Sequence, residues 1–223
     1  MHGELVVVDD VPGEFAERVI EAFHSRPRDG FSFAASGGGT ARRCYERLAE
    51  DAGSQVDWWK VDVYWGDERC VPLNHADSNY HLVRESLFER VGAVNANYPM
   101  RCDDGPDPYQ LRLGELGKLD VIHLGLGPDG HTASLFPGSP ALEADPGRLV
   151  VMNHDPTGLN PHGRMTLTYA GIERGRLVLV TVEGEEKREA LRRVAAGEDL
   201  PAARLKADRL LWIADPAAAA DLM

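Results

Sequence analysis

Cysteine is scarce in this chain: Cys44, Cys70 and Cys102 are the only three, they lie far apart, and no CxxC pair occurs. That spacing predicts neither a disulfide framework nor a thiolate metal site, and a reducing cytoplasm is the simplest home for it. Long apolar runs are missing as well. No stretch approaches the roughly 20 residues of a membrane-spanning helix, and the opening MHGELVVVDD has no basic segment leading into an apolar one. Basic charge is in deficit: 24 Lys and Arg stand against 36 Asp and Glu, a net charge of −12. A nucleic-acid backbone or an anionic membrane surface would therefore be repelled, whereas a small anion needs only a local basic pocket. The eight histidines show no HxxxH or HExxH spacing, so no metal is expected. No serine sits in GxSxG and no cysteine has a reactive context, which leaves nucleophilic catalysis without a candidate.

What the chain does have is an ordinary globular balance, 43% hydrophobic and 27% charged residues, with enough length to bury a substantial core. β-rich runs alternate with helical patterns, the signature of an α/β fold with a mostly parallel sheet. Strands are expected at Glu4 to Asp9, Phe31 to Ser36, Val61 to Trp65 and Leu119 to Gly127, the last an almost continuous apolar run of the kind a buried parallel strand needs. RLVVMN, MTLTY, RLVLVTV and the stretch around Leu210 to Ile213 add later strands. Helices are expected after Pro12, after Gly39, near Ser78 to Val91, over Glu185 to Ala196 and in the alanine-rich C-terminal stretch. The polar loop Arg101 to Pro108 is too short to mark a boundary, so residues 1–223 are expected to form one domain.

Three segments carry chemistry. SGGGT (Ser36 to Thr40) lies where a strand passes into a helix, and there glycine N–H groups and the helix dipole favour an anion. Thr40 offers a hydroxyl or an N-cap, and the alternative is a plain glycine turn. Without the Lys-Ser/Thr ending of a nucleotide loop, a sugar phosphate fits better than ATP. WGDERCVP (Trp65 to Pro72) follows a strand end, where open parallel sheets bind ligands. Asp67 and Arg69 share strand parity and face one side if the extended geometry persists; the bland reading is a solvated charged loop. GLGPDGHTASLFP (Gly125 to Pro137) contains a literal GxGxxG. It follows a late strand, Asp129 would set a carboxylate against a pyrophosphate, and Pro137 interrupts the helix a dinucleotide site needs. What remains is a turn, Asp129-Gly130-His131, that offers a general base with a carboxylate to orient it. Arg164 and Lys187 are later cations, Lys187 near a helix start where the dipole does not favour it.

Taken in order, ASGGGTARRCYERL, VYWGDERCVPLNHADSNYHLVRESLF, LDVIHLGLGPDGHTASLFPGS, GRMTLTYAGI and VEGEEKREAL, from about Ala35 to Leu191, resemble the blocks of the 6-phosphogluconolactonase family. The resemblance implies a Rossmann-like, mostly parallel β-sheet flanked by helices on both faces, with a few additional edge strands. It implies hydrolysis of 6-phosphogluconolactone to 6-phosphogluconate in the oxidative pentose phosphate pathway without cofactor or metal. His131 corresponds to the water-activating base, Asp67, Arg69 and Asp129 to its catalytic surroundings, and Gly37, Gly38, Gly39, Thr40 and Gly130 to the substrate pocket. Arg164 and Lys187 correspond to phosphate ligands. The partner implied is a small phosphorylated sugar lactone, with the chain a monomer or homodimer. Glucosamine-6-phosphate deaminases share the fold and the DGH turn, yet their turn carries a glutamate where Phe136 stands here. A non-catalytic sugar-phosphate sensor on the same scaffold would be expected to have lost His131 or Arg69. Two departures from the family are Gly39 in place of the more usual serine, and a segment Asp107 to Lys118 that looks short for the usual helix.

Overall fold

The computed structural model describes residues 1–223. Seven strands build one wholly parallel sheet: β1 (Glu4–Val7), β2 (Phe31–Ala35), β3 (Val61–Trp65), β5 (Ala96–Asn97), β6 (Leu119–Gly125), β9 (Gly175–Val182) and β10 (Arg209–Ala214), in the order β1-β10-β9-β6-β2-β3-β5. From β2 the chain steps outward to β3 and β5, and from β6 it steps the other way to β9 and β10. The sheet therefore changes winding direction between β2 and β6, the place where a doubly wound sheet opens a crevice at its carboxyl edge. The additional strands are antiparallel: β4 (Asp67–Arg69), which reads in the sequence as a charged loop, β7 (Val150–Asn153) and β8 (Arg164–Leu167). They form a small separate sheet ordered β4-β8-β7.

The helices follow their sequence signals. α1 (Val11–His24) starts under an Asp10 cap whose carboxylate accepts from Gly13 N–H at 3.0 Å, and it turns Phe15, Ala16, Val19 and Phe23 inward. α2 (Gly39–Ala52) packs beside it through Ala41, Cys44, Tyr45 and Leu48. α3 (Asn79–Val83) runs through a π-helical turn at Arg84–Phe88 into α4 (Glu89–Val91), so the expected Ser78 to Val91 helix is present with a bulge in its middle. α5 (Asp107–Leu116) is a ten-residue helix in the segment that looks short for the family's usual one. α6 (Tyr169–Ile172) links β8 to β9, and α7 (Arg188–Ala195) follows a 3-10 turn at Glu185–Lys187.

Two expectations fail. The alanine-rich stretch after Asp215 forms consecutive turns rather than a regular helix, although Ala218 and Ala219 are buried; Asp215 caps it at Ala218 N–H, but too few residues follow to propagate a helix. Nor are the cysteines all free: Cys70 and Cys102 are joined in a disulfide with Cα atoms 5.4 Å apart, across 32 positions of sequence. The fold brings the segment after β4 against the segment after β5, a juxtaposition that spacing alone does not reveal.

Candidate active site

At the carboxyl ends of β2, β3, β6 and β9 a trough runs in two connected lobes of about 280 and 190 Å³, sharing Gly37, Gly38, Gly125, Leu126 and Lys187. The larger lobe lies over the glycine loop. Gly38 caps α2 with φ 101°, a conformation that favours glycine, so Thr40 is not the N-cap. The first intrahelical bond runs from Arg42 N–H to Gly38 O, leaving the N–H groups of Gly39, Thr40 and Ala41 without acceptors. Gly37 has a different reason to be glycine: a Cβ there would meet Asn79 Oδ1 at 1.8 Å. The loop is bolted to the core by Tyr45, whose hydroxyl accepts from Ser36 N–H at 2.7 Å and lies 2.8 Å from His123 Nδ1. His123 Nε2 in turn meets Thr181 Oγ1 at 2.9 Å. Total burial pushes the His123 pKa down to about 3 and keeps this imidazole neutral.

The smaller lobe gathers the charged segment and the DGH turn. In β4, Asp67 and Arg69 reach the trough while Glu68 turns away, as strand parity requires. Glu68 is buried and its carboxylate accepts from Asn79 N–H at 2.7 Å, Tyr80 N–H at 2.8 Å and Ser78 Oγ at 3.0 Å, which ties β4 to the start of α3. Burial raises its pKa despite these donors. Asp67 is also buried, with Oδ1 accepting from Asn79 Nδ2 at 3.1 Å and Oδ2 from Ser134 Oγ at 2.6 Å. The segment is therefore no solvated loop.

His131 sits on a turn closed by Gly127 N–H to His131 O at 2.8 Å and Gly130 N–H to Gly127 O at 3.0 Å. Gly127 is required because a Cβ there would lie 2.1 Å from His131 Nδ1. Gly130, expected among the substrate-binding residues, faces the other way: with φ +85° it packs on Leu200 and its carbonyl accepts from Ala202 N–H. Asp129 Oδ1 lies 2.5 Å from His131 Nδ1 and also accepts the His131 N–H at 3.2 Å. The Asp129 pKa is lowered, because hydrogen bonding and charge from His131 outweigh burial. With the Nδ1 proton committed to Asp129, Nε2 is the nitrogen left to accept a proton. The far side of the imidazole is covered by the buried ring of Phe136, centroids 5.0 Å apart.

Of the two later cations, Lys187 lines both lobes and forms no ion pair. Arg164 is buried behind the trough, directly across the β4–β8 ladder from Arg69, with its Nη1 donating to His162 O at 3.1 Å. Burial and then the Arg69 charge lower its pKa. Sequence reasoning missed Tyr45, Asn79, His123, Ala133 and Ser134. The first four carry no charge signal, and Ser134 stands inside the GHTASLFP block without a recognisable catalytic neighbour.

Residues 6–212 match the family described as Glucosamine-6-phosphate isomerases/6-phosphogluconolactonase. The chain belongs to this family. It is 35% identical to the 6-phosphogluconolactonase of Synechocystis sp. over 92% of this chain and 89% of that one. With the enzyme of Nostoc sp. the identity is 37%, over 86% and 85%. Among solved structures, 6-phosphogluconolactonase from Trypanosoma cruzi superposes with a TM-score of 0.83 at 26% identity, covering all of both chains. A monomeric glucosamine-6-phosphate deaminase reaches 0.81 at 16% identity over 97% and 99%, a likeness that concerns the fold alone.

Proposed function

We propose that this protein is a 6-phosphogluconolactonase, hydrolysing 6-phospho-D-glucono-1,5-lactone to 6-phospho-D-gluconate in the oxidative pentose phosphate pathway. The observation that carries the reading is His131, its Nδ1 held by Asp129 and its Nε2 left to accept a proton, beside a trough that ends in free N–H groups and Lys187. The substrate phosphate sits at the α2 N-terminus, where the N–H groups of Gly39, Thr40 and Ala41 and the Lys187 ammonium meet a dianion. Arg69, with Arg164 behind it, adds positive potential along the trough.

The lactone carbonyl lies toward His131. His131 Nε2 takes a proton from water as the water oxygen bonds to the carbonyl carbon, and the imidazolium is stabilised by Asp129. In the tetrahedral intermediate the bond from that carbon to the ring oxygen breaks, and the ring oxygen takes the proton back from His131. A hydroxy acid leaves, and its carboxyl proton passes to solvent. General-base help of this kind is worth about 10²–10⁴ in rate. A lactone is already an activated ester, so the reaction calls for no metal or organic cofactor.

Phe136 separates this reading from the deaminase one, because a buried phenyl ring neither accepts nor relays a proton. Retention of His131 and Arg69 in the trough favours an enzyme over a sugar-phosphate sensor. We assign residues 1–223 to one domain, working as a monomer or homodimer on a small-molecule substrate, with no nucleic-acid or membrane partner. No helix is long and apolar enough to cross a membrane. The proposed location is the cytoplasm. A coupled assay with fresh lactone tests the function: turnover is expected, His131→Ala should lose at least 10²-fold in kcat with its fold intact, and an unchanged kcat refutes the role of His131. Ammonia release from glucosamine 6-phosphate would support the deaminase instead, and binding without turnover the sensor.

A further inference from the structure

Ala133 is the only non-glycine residue with positive φ, at 47°, and it lines the same lobe as His131, two positions further along the chain. Left-handed backbone at a residue with a side chain persists only where its surroundings impose it. Here they do so on both sides. Thr132 Oγ1 donates to Gly125 O at 2.9 Å. Ser134 N–H donates to Thr166 Oγ1 at 3.1 Å, Ser134 O accepts from Asn153 Nδ2 at 2.7 Å, and Ser134 Oγ donates to Asp67 Oδ2 at 2.6 Å. Between these anchors the N–H of Ala133 has no acceptor within the protein.

We propose that this N–H binds the oxyanion of the tetrahedral intermediate, and that Asp67, acting through Ser134, is the positioning residue that fixes it. The proposal rests on the hydrolytic reading above. When water adds to the lactone, negative charge collects on the former carbonyl oxygen, and a donor already fixed and unengaged stabilises it without reorganisation. The rival donor is Arg69, whose Nη1 donates to Asp77 O at 2.7 Å while its Nε and Nη2 remain free, so the backbone substitution at Ala133 below decides between the two. Asp67 is ill suited to moving a proton, since both its oxygens accept hydrogen bonds in a buried setting. Its carboxylate serves instead to orient the Ser134 hydroxyl, and thereby the bend at Ala133.

The test replaces Ala133 by lactic acid in the full-length protein through α-hydroxy-acid incorporation, which deletes the N–H and keeps the methyl group. A fall in kcat of about 10²–10³-fold is expected, with KM changed far less and the thermal midpoint close to that of the parent. Ser134→Ala should also lower kcat more than it raises KM, and in the ester background it should cause no further loss, because the group it positions is already gone. An ester variant with parental kcat in an active enzyme overturns the proposal, and additive losses in the double variant overturn the link through Ser134. If the unmodified protein turns over no lactone, the hydrolytic reading fails first and the oxyanion assignment falls with it.

Discussion

Reducing the Cys70–Cys102 bond is expected to lower stability substantially while leaving the chemistry nearly intact. The bridge spans 32 positions, and in the chain-entropy description closing a loop of that length removes roughly 3–4 kcal/mol of unfolded-state freedom. For a chain of this size each kcal/mol moves the thermal midpoint by roughly 2–4 °C, so a drop on the order of 10 °C follows. Activity should be less affected, because the segment beside Arg69 keeps other anchors: Cys70 N–H donates to Gly163 O at 2.9 Å and Arg69 Nη1 to Asp77 O at 2.7 Å. Cys44 is buried and will not interfere by exchange, burial having pushed its thiol pKa up. The assay is thermal unfolding of oxidised and reduced protein, with thiols counted by intact mass, alongside the double variant Cys70→Ser/Cys102→Ser. If the reduced protein, shown by mass to carry three thiols, melts where the oxidised one does, the loop-closure reasoning is wrong.

Gly37→Ala should damage both stability and activity, by roughly 1–3 kcal/mol for the overpacking and a raised KM, because Asn79 is buried and held by its bonds to Asp67; wild-type KM in a steady-state assay would show that the loop yields. His123 gives a pH signature. Its folded pKa of about 3 lies below the ordinary histidine value, so its contribution is complete above about pH 6.5 and is lost as pH falls toward 3. At pH 4.5 the loss is about 3 kcal/mol. Urea unfolding at pH 7 and 4.5 should show a smaller decline for His123→Gln than for the parent, and equal declines would place the acid sensitivity elsewhere.

Much of the fold was legible because the parallel strands are buried on both faces and read as apolar runs, β6 most clearly, with all but Gly125 buried. The separate antiparallel sheet was not legible. β4 is three charged residues long, and its partner β8 lies far along the chain, so nothing local announces their pairing. At the site, the glycine loop and the DGH turn could be located because strand-end position and chemistry coincide there. The DER triplet could not be read as buried: Glu68 and Asp67 are satisfied by Ser78, Asn79, Tyr80 and Ser134, partners that only the tertiary fold supplies. Gly130 illustrates the reverse, a residue in a chemical motif whose place is set by Leu200.

The pairing of Arg69 with Arg164 across β4 and β8 has a bearing on the folded state as well as on the chemistry. Two guanidinium groups directly opposite one another repel, and Arg164, already disfavoured by burial, carries that repulsion inside the fold. The strand pair that sets Arg69 at the edge of the trough is therefore held together by its backbone ladder and by the buried Glu68 and Asp67 rather than by its basic side chains.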